Sequence, residues 1–80
     1  MEDRDILQHI QTLVDEEHSL MQMEASGQLE GDQRERFRSI EVHLDQCWDL
    51  LRQRRARRNA GLNPNEAQER PANIVENYKQ

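Results

Sequence analysis

Hydrophobic residues recur every three or four positions in two separate stretches of the chain. The first stretch carries them at Ile6, Ile10, Leu13 and Leu20. The second carries them at Phe37, Ile40, Leu44, Cys47 and Leu51. Steps of three and four place side chains on one face of an α-helix, so each stretch predicts a long amphipathic helix. These nine residues, with Trp48 beside the second stripe, are the predicted core or dimer interface.

Glycine and aspartate mark the predicted ends of both helices. Gly27 is the predicted C-cap of helix 1, and Gly61 follows the end of helix 2. Asp3 or Asp5 is the predicted N-cap of helix 1, and Asp32 is that of helix 2. The pattern gives a hairpin over residues 1–61, with helix 1 at about 4–26, a loop at about 27–31 and helix 2 at about 32–60.

Residues 62–80 form a predicted C-terminal arm with short helical turns. Pro64 follows Asn63, which is a typical start for a turn of helix, and Pro71 interrupts the chain again. Beyond it, Ile74, Val75 and Tyr78 are expected to dock a final short helix on the hairpin.

The predicted fold is all-α: an antiparallel, coiled-coil-like two-helix hairpin with this arm. A short loop between two helices makes them antiparallel neighbours. Such a small hairpin has little to cover its apolar face, so a second copy is the expected support. We therefore predict a homodimer in the form of a four-helix bundle.

Composition narrows the class of protein. Only 34% of the 80 residues are hydrophobic and 34% are charged, a mixture typical of long surface-rich helices. No apolar run exceeds two residues, so we expect neither a membrane-spanning segment nor binding to a membrane. Cys47 is the only cysteine, so we expect no disulfide framework and a cytoplasmic location.

Charge is strongly segregated along the chain, although the formal net charge is only -5. Residues 1–32 hold nine acidic side chains and one basic one, Arg4. The end of helix 2 holds an arginine cluster consisting of Arg52, Arg54, Arg55, Arg57 and Arg58. An antiparallel hairpin brings this cluster beside the acidic start of helix 1, so ion pairs within the chain are expected. The alternative is that the cluster binds a protein partner or nucleic acid.

The run DQCWDLLRQRRARR, the segment VDEEHSL in helix 1 and the closing RPANIVENYKQ resemble a known family. It consists of short uncharacterised proteins, mainly from actinobacteria, and is classed as a domain of unknown function. The likeness spans nearly the whole chain. It implies a small helical protein, and it implies no activity, cofactor or catalytic residue.

The sequence offers no recognisable catalytic motif. It has no Gly-rich phosphate loop, no Gly-x-Ser-x-Gly and no cysteine beside a histidine. Cys47 lies on the apolar stripe of helix 2, where a buried, unreactive thiol is the usual state. We therefore expect a protein that is not an enzyme and needs no cofactor.

Glu17 is the one charge that helical spacing places within the apolar stripe of helix 1. A carboxylate there needs a partner, because an unpaired buried charge is costly. The expected partners are Arg34, Arg38 or His43. A weaker alternative is a metal site formed by Glu17, His18 and His43, although the ligand spacing usual in helical bundles is absent.

Three functional hypotheses remain from the sequence. The preferred one is a non-enzymatic protein that acts through protein–protein contacts. The second is a nucleic-acid or nucleoprotein accessory factor that uses the arginine cluster. The third is a metal-binding helical bundle around Glu17.

Overall fold

Two long helices lie side by side and contain most of the chain. The structure is a computed structural model that describes residues 2–77, so the predicted contact of Tyr78 lies outside the described residues. Its elements are α1 (Asp3–Ala25), α2 (Gly31–Asn59), a 3₁₀ turn (Pro64–Glu66) and α3 (Ala72–Asn77). Residues 2–77 contain no strand, and the all-α hairpin with a short helical arm is confirmed.

Both long helices begin one residue earlier than predicted, and glutamates cap them. The backbone N–H of Glu2 donates to Asp5 Oδ2 at 2.9 Å, and that of Glu30 donates to the side chain of Gln33 at 2.9 Å. Each is the bond from the N-cap backbone to the side chain of the third helical residue in a capping box. The predicted caps Asp3 and Asp32 lie inside the first turns instead. The carboxylate of Asp3 forms ion pairs with arginines of α2 instead of capping the helix.

Both long helices end just before the predicted glycines, which follow the C-cap residues Ser26 and Ala60. Gly27 and Gly61 each have φ of +76°, a conformation that is strained for other residues. The backbone N–H of the residue after each glycine donates back to the last turn of the helix, at 2.8 Å in both cases. This Schellman arrangement satisfies carbonyls that the helix leaves without partners.

The two predicted stripes face each other inside one hairpin. Two clusters form the core: Ile6, Ile10 and Leu50, and Leu13, Leu20 and Ile40. Phe37, Leu44, Cys47 and Leu51 are half-buried around them. Trp48, predicted for the core or a dimer interface, lies outside the core of the single chain, since Trp48 is 45% exposed whereas Leu50 is only 9% exposed. Ala67 of the arm packs on the cluster that contains Leu50, whereas Trp48 lies on a different flank of α2.

The arm is held on α2 by polar contacts around Asp49, which is 1% exposed. Asp49 Oδ2 accepts hydrogen bonds from Gln53 Nε2 and Arg70 Nε, both at 2.9 Å. Gln53 also donates to the backbone oxygen of Gln68 at 2.8 Å. Val75 of α3 is buried as well. Burial of Asp49 is therefore compatible with its charge because donors surround it.

Within the described part of the chain, none of the helices combines the length and apolarity needed to cross a membrane.

Candidate functional site

Arg54 is the buried member of the arginine cluster, with 6% of its surface exposed. Its Nε donates to the carboxylate of Asp3 at the start of α1. Its Nη1 donates to the backbone oxygen of Pro64 at 3.1 Å and to Asn65 Oδ1 at 3.0 Å. Arg54 therefore joins α1, α2 and the 3₁₀ turn, and its guanidinium is committed to the fold.

Two more arginines of the cluster form ion pairs within the chain. Arg58 Nη2 lies 2.9 Å from Asp3 Oδ2, and Arg57 Nη1 lies 3.4 Å from Glu66 Oε2. Both arginines are also in the last turn of α2, where the helix dipole favours cations. Arg52 and Arg55 are exposed, and neither forms an ion pair or hydrogen bond within residues 2–77. Within the described residues, two arginines of the cluster are therefore left without an ion pair, rather than five.

Asp3 is the acidic centre of these contacts. The hydrogen bond from Arg54 lowers the pKa of its carboxyl from the ordinary 3.8, and contacts with Arg58 lower the pKa further. Partial burial opposes this change without reversing it. The antiparallel geometry predicted an acidic residue beside the cluster, and Asp3 is the residue that the structure brings there.

The predicted ion pair of Glu17 does not form within the described residues of the chain. Glu17 is half-buried, and within the described residues it has no hydrogen bond or ion pair, including with the expected partners Arg34, Arg38 and His43. The core beside it contains residues of α1, α2 and their loop but none of the arm. A seam between only two helices leaves the carboxylate access to water, so burial is incomplete. The neighbouring Glu16 is paired instead, with Arg36, at 2.6 and 2.8 Å.

The predicted metal ligands do not converge. Among residues 2–77, no group of three or more His, Cys, Asp or Glu side chains is arranged to hold a metal ion. Glu17, His18 and His43 are therefore not placed as one site.

A different group of chemically active side chains meets at a shallow cleft of about 190 Å³, lined by His9, His43, Gln46, Cys47 and Glu69. Sequence spacing did not suggest it, because His9 and Glu69 come from α1 and the arm. Burial raises the pKa of the Cys47 thiol, and the charge of Glu69 raises it further. The thiol form is thus favoured at neutral pH, which makes Cys47 a poor nucleophile.

An apolar face lies along one side of the hairpin. Its exposed members are Leu7 and Met21 on α1 and Trp48 on α2, while Val14 and Leu44 on the same rows are half-buried against the core. Leu7 is 48% exposed, Met21 50% and Trp48 45%. At one end, a cleft of about 220 Å³ is lined by Asp3, Leu7, Trp48, Leu51, Arg52 and Arg55. No described residue of the arm lines this cleft.

A second open groove of about 440 Å³ lies between α2 and the arm. Ala56 and Leu62 form its apolar part, and Arg52, Arg57 and Arg70 line it with cations. Arg57 and Arg70 already pair with Glu66 and Asp49, so little positive charge is left for a ligand.

Comparison with known proteins confirms the resemblance found in the sequence. A family model described as "Protein of unknown function (DUF2630)" matches residues 2–80. Uncharacterised proteins of Mycobacterium bovis (Mb0922c) and Mycobacterium tuberculosis (Rv0898c) are each 51% identical over 77 residues. Each alignment covers 95% of this chain and 88% of the relative. No solved structure matches the chain.

Proposed function

The chain belongs to the DUF2630 family, whose function is unknown, so we propose its function from the features of its surface. We propose that the protein acts without catalysis, by binding another protein chain at its apolar face. The observation that carries this proposal is the exposure of Leu7, Met21 and Trp48 along one side of the hairpin. Exposed apolar side chains that form one continuous patch are typical of interaction sites, whereas scattered ones are ordinary. Tryptophan in particular contributes strongly at the centre of protein interfaces.

The state of Cys47 supports a role without catalysis. It shares its cleft with His9 and His43, and a histidine is the usual base beside a thiol nucleophile. Its raised pKa is the opposite of what such a nucleophile requires, since the thiolate is the reactive form. Cys47 is also a free thiol. A free thiol fits a reducing compartment, and we place the protein in the cytoplasm on that ground.

Nucleic-acid binding is the second candidate, and it rests on Arg52 and Arg55. Two phosphate contacts would give a salt dependence with a log–log slope of only about -1.8. Affinity from so few contacts is small, and the chain as a whole carries a net charge of -5. We therefore rank this function below protein binding.

Size-exclusion chromatography of a tagged chain in a mycobacterial extract tests the proposed function. We expect wild type to elute well above the 9.6 kDa of one chain. Leu7→Glu combined with Trp48→Glu is expected to elute as a free chain, because two charges would have to be buried at the contact.

Leu62→Glu combined with Ile74→Glu is the matched control, since both residues are exposed but belong to the arm. The control should elute like wild type. A wild type that elutes as a free chain, or a control that behaves like the apolar-face variant, would contradict the proposal.

A further inference from the structure

We infer that the occupant of the apolar face is a second copy of this chain, and that the two copies form an all-antiparallel four-helix bundle. In this arrangement α1 of each copy lies over α2 of the other, and the twofold axis runs parallel to the helices. The inference rests on the proposed function, because it names the partner that the apolar face binds. It differs from the dimer expected from the sequence, whose interface was the pair of stripes now found buried within each hairpin.

The area of exposed surface fits a missing partner. The chain exposes 5950 Å². A folded monomer of 9.6 kDa typically exposes about 5,100 Å², so this chain has an excess of roughly 850 Å². A stable interface of standard size buries about 800 Å² on each partner. The hairpin is also only 17 Å thick in its smallest dimension, so a second layer of helices would complete it.

The cleft at the end of the apolar face is complementary to itself. On α1 it has an acid and an apolar residue, Asp3 and Leu7, and on α2 it has Trp48 and the cation Arg55. A twofold axis parallel to the helices keeps each residue at its own level and exchanges α1 for α2. Trp48 then packs on Leu7 of the second copy, and Arg55 meets the second copy's Asp3. Asp3 keeps 38% of its side chain exposed, so it can accept this additional cation.

The same exchange of α1 and α2 also brings together polar residues that lie beside the apolar face. One α-helical turn of 3.6 residues places His18 beside the row of Leu7 and Met21, and Glu41 beside the row of Leu44 and Trp48. His18 and Glu41 are both exposed, and the exchange brings the two side chains to the same contact between the copies.

The alternative bundle stacks α2 on α2 of the second copy. Centred on Val14 and Glu41, it also overlaps the two apolar faces, but it places Glu41 against Glu41 of the second copy. The exchange of α1 and α2 is favoured because it avoids this contact between like charges and brings each Asp3 to an Arg55 instead.

Disulfide trapping of the full-length chain tests this arrangement. In a Cys47→Ser background, we mix chains carrying His18→Cys with chains carrying Glu41→Cys and oxidise them. We expect a disulfide between the two kinds of chain, and sedimentation of the unmodified protein should give twice the mass of one chain. Gln8→Cys, mixed with Glu41→Cys, is the control, since Gln8 is exposed on another side of α1 and should not cross-link.

Each other outcome overturns the inference. A dimer whose Glu41→Cys chains cross-link with each other has α2 stacked on α2. A dimer with no cross-link between positions 18 and 41 uses another surface. A monomer at about 0.1 mM has no self-contact strong enough to matter. If that monomer still elutes as a larger complex in the extract, the proposed function stands with a different partner; if it elutes alone there, the proposed function fails as well.

Discussion

Arg54 and Arg55 are neighbours in sequence but have opposite surroundings. Arg54 is buried and donates to three acceptors, whereas Arg55 is exposed. Replacing a donor of charge-assisted hydrogen bonds removes about 1.5–3 kcal/mol and leaves its acceptors without partners. We therefore expect Arg54→Gln to lower the free energy of unfolding by that amount, as measured by urea denaturation. Arg55→Gln is the matched control and should change it by less than about 0.5 kcal/mol. Equal effects of the two substitutions would contradict the burial of Arg54.

Two carboxylates make the stability of the protein depend on acid. The pKa of Asp3 is lowered from 3.8 chiefly by its hydrogen bond from Arg54, and that of Glu16 from 4.5 chiefly by its hydrogen bond from Arg36. Because these pKa values are lowered in the folded state, the two ion pairs stabilise the fold fully when the pH is above the pKa values of the unfolded chain. This stabilisation is lost as the pH falls through the lowered pKa values of the folded state. We expect thermal melts to show this loss below about pH 4.

The variant Asp3→Asn separates the two contributions. At pH 7 this variant should be less stable than wild type. Between pH 5 and pH 2 it should lose less further stability than wild type does, because only the carboxylate of Glu16 still contributes to the acid dependence. Asp15→Asn, which leaves both arginine pairs intact, is the control and should keep the acid dependence of wild type. An unchanged acid dependence in Asp3→Asn would refute the role assigned to Asp3.

Residue-level prediction from the sequence succeeded where spacing alone decides burial and failed where the arm intervenes. Ile6, Ile10 and Leu13 follow the helical period and are buried. Asp49 lies off that period and is nevertheless buried, because Arg70 and Gln53 surround it. The docking of the arm fixes that environment, and no local pattern encodes it. Glu17 shows the converse, since it follows the period but lies where the arm gives no cover.

Among the elements, the arm is held on α2 partly by one buried carboxylate, Asp49. Asp49→Ala removes the acceptor of two hydrogen bonds to the arm and to α2. We expect a loss of about 1.5–3 kcal/mol, and we expect the arm to open before the hairpin does. Hydrogen exchange should then show faster exchange at the amides of Ile74 and Val75, which bond to the backbone oxygen of Pro71. Amides at the centre of α2 should keep their protection. Uniformly faster exchange would mean that the arm and hairpin unfold together.

Element boundaries were predictable to the extent that they are local. Gly27 and Gly61 ended their helices as expected because a positive φ and a Schellman bond involve only neighbouring residues. The N-cap predicted for α1 was wrong because Asp3, a good cap by composition, has tertiary partners in α2. Glu2 takes its place one residue earlier.

At the scale of the whole molecule, a thin hairpin should depend on association for stability. Binding that occurs only in the folded state makes unfolding concentration-dependent. We expect the thermal midpoint of wild type to rise between about 1 and 100 μM, by several degrees for each kilocalorie gained. Leu7→Glu combined with Trp48→Glu should melt at one temperature throughout that range. A wild type with a midpoint independent of concentration would contradict assembly.

The contact between Asp3 and Arg54 also has a consequence for how the chain matures during translation. The two residues are separated by 51 positions, and the remaining acceptors of Arg54 follow it by 10 and 11 positions. At ribosomal rates of about 5–20 residues per second, Arg54 is synthesised roughly 2.5–10 s after Asp3. The residues of the 3₁₀ turn that accept its other hydrogen bonds are synthesised about 0.5–2 s later. Throughout this interval the apolar stripe of a newly made α1 has no complete cover, so nascent chains on one messenger are exposed to one another while their own closing contacts are still being synthesised.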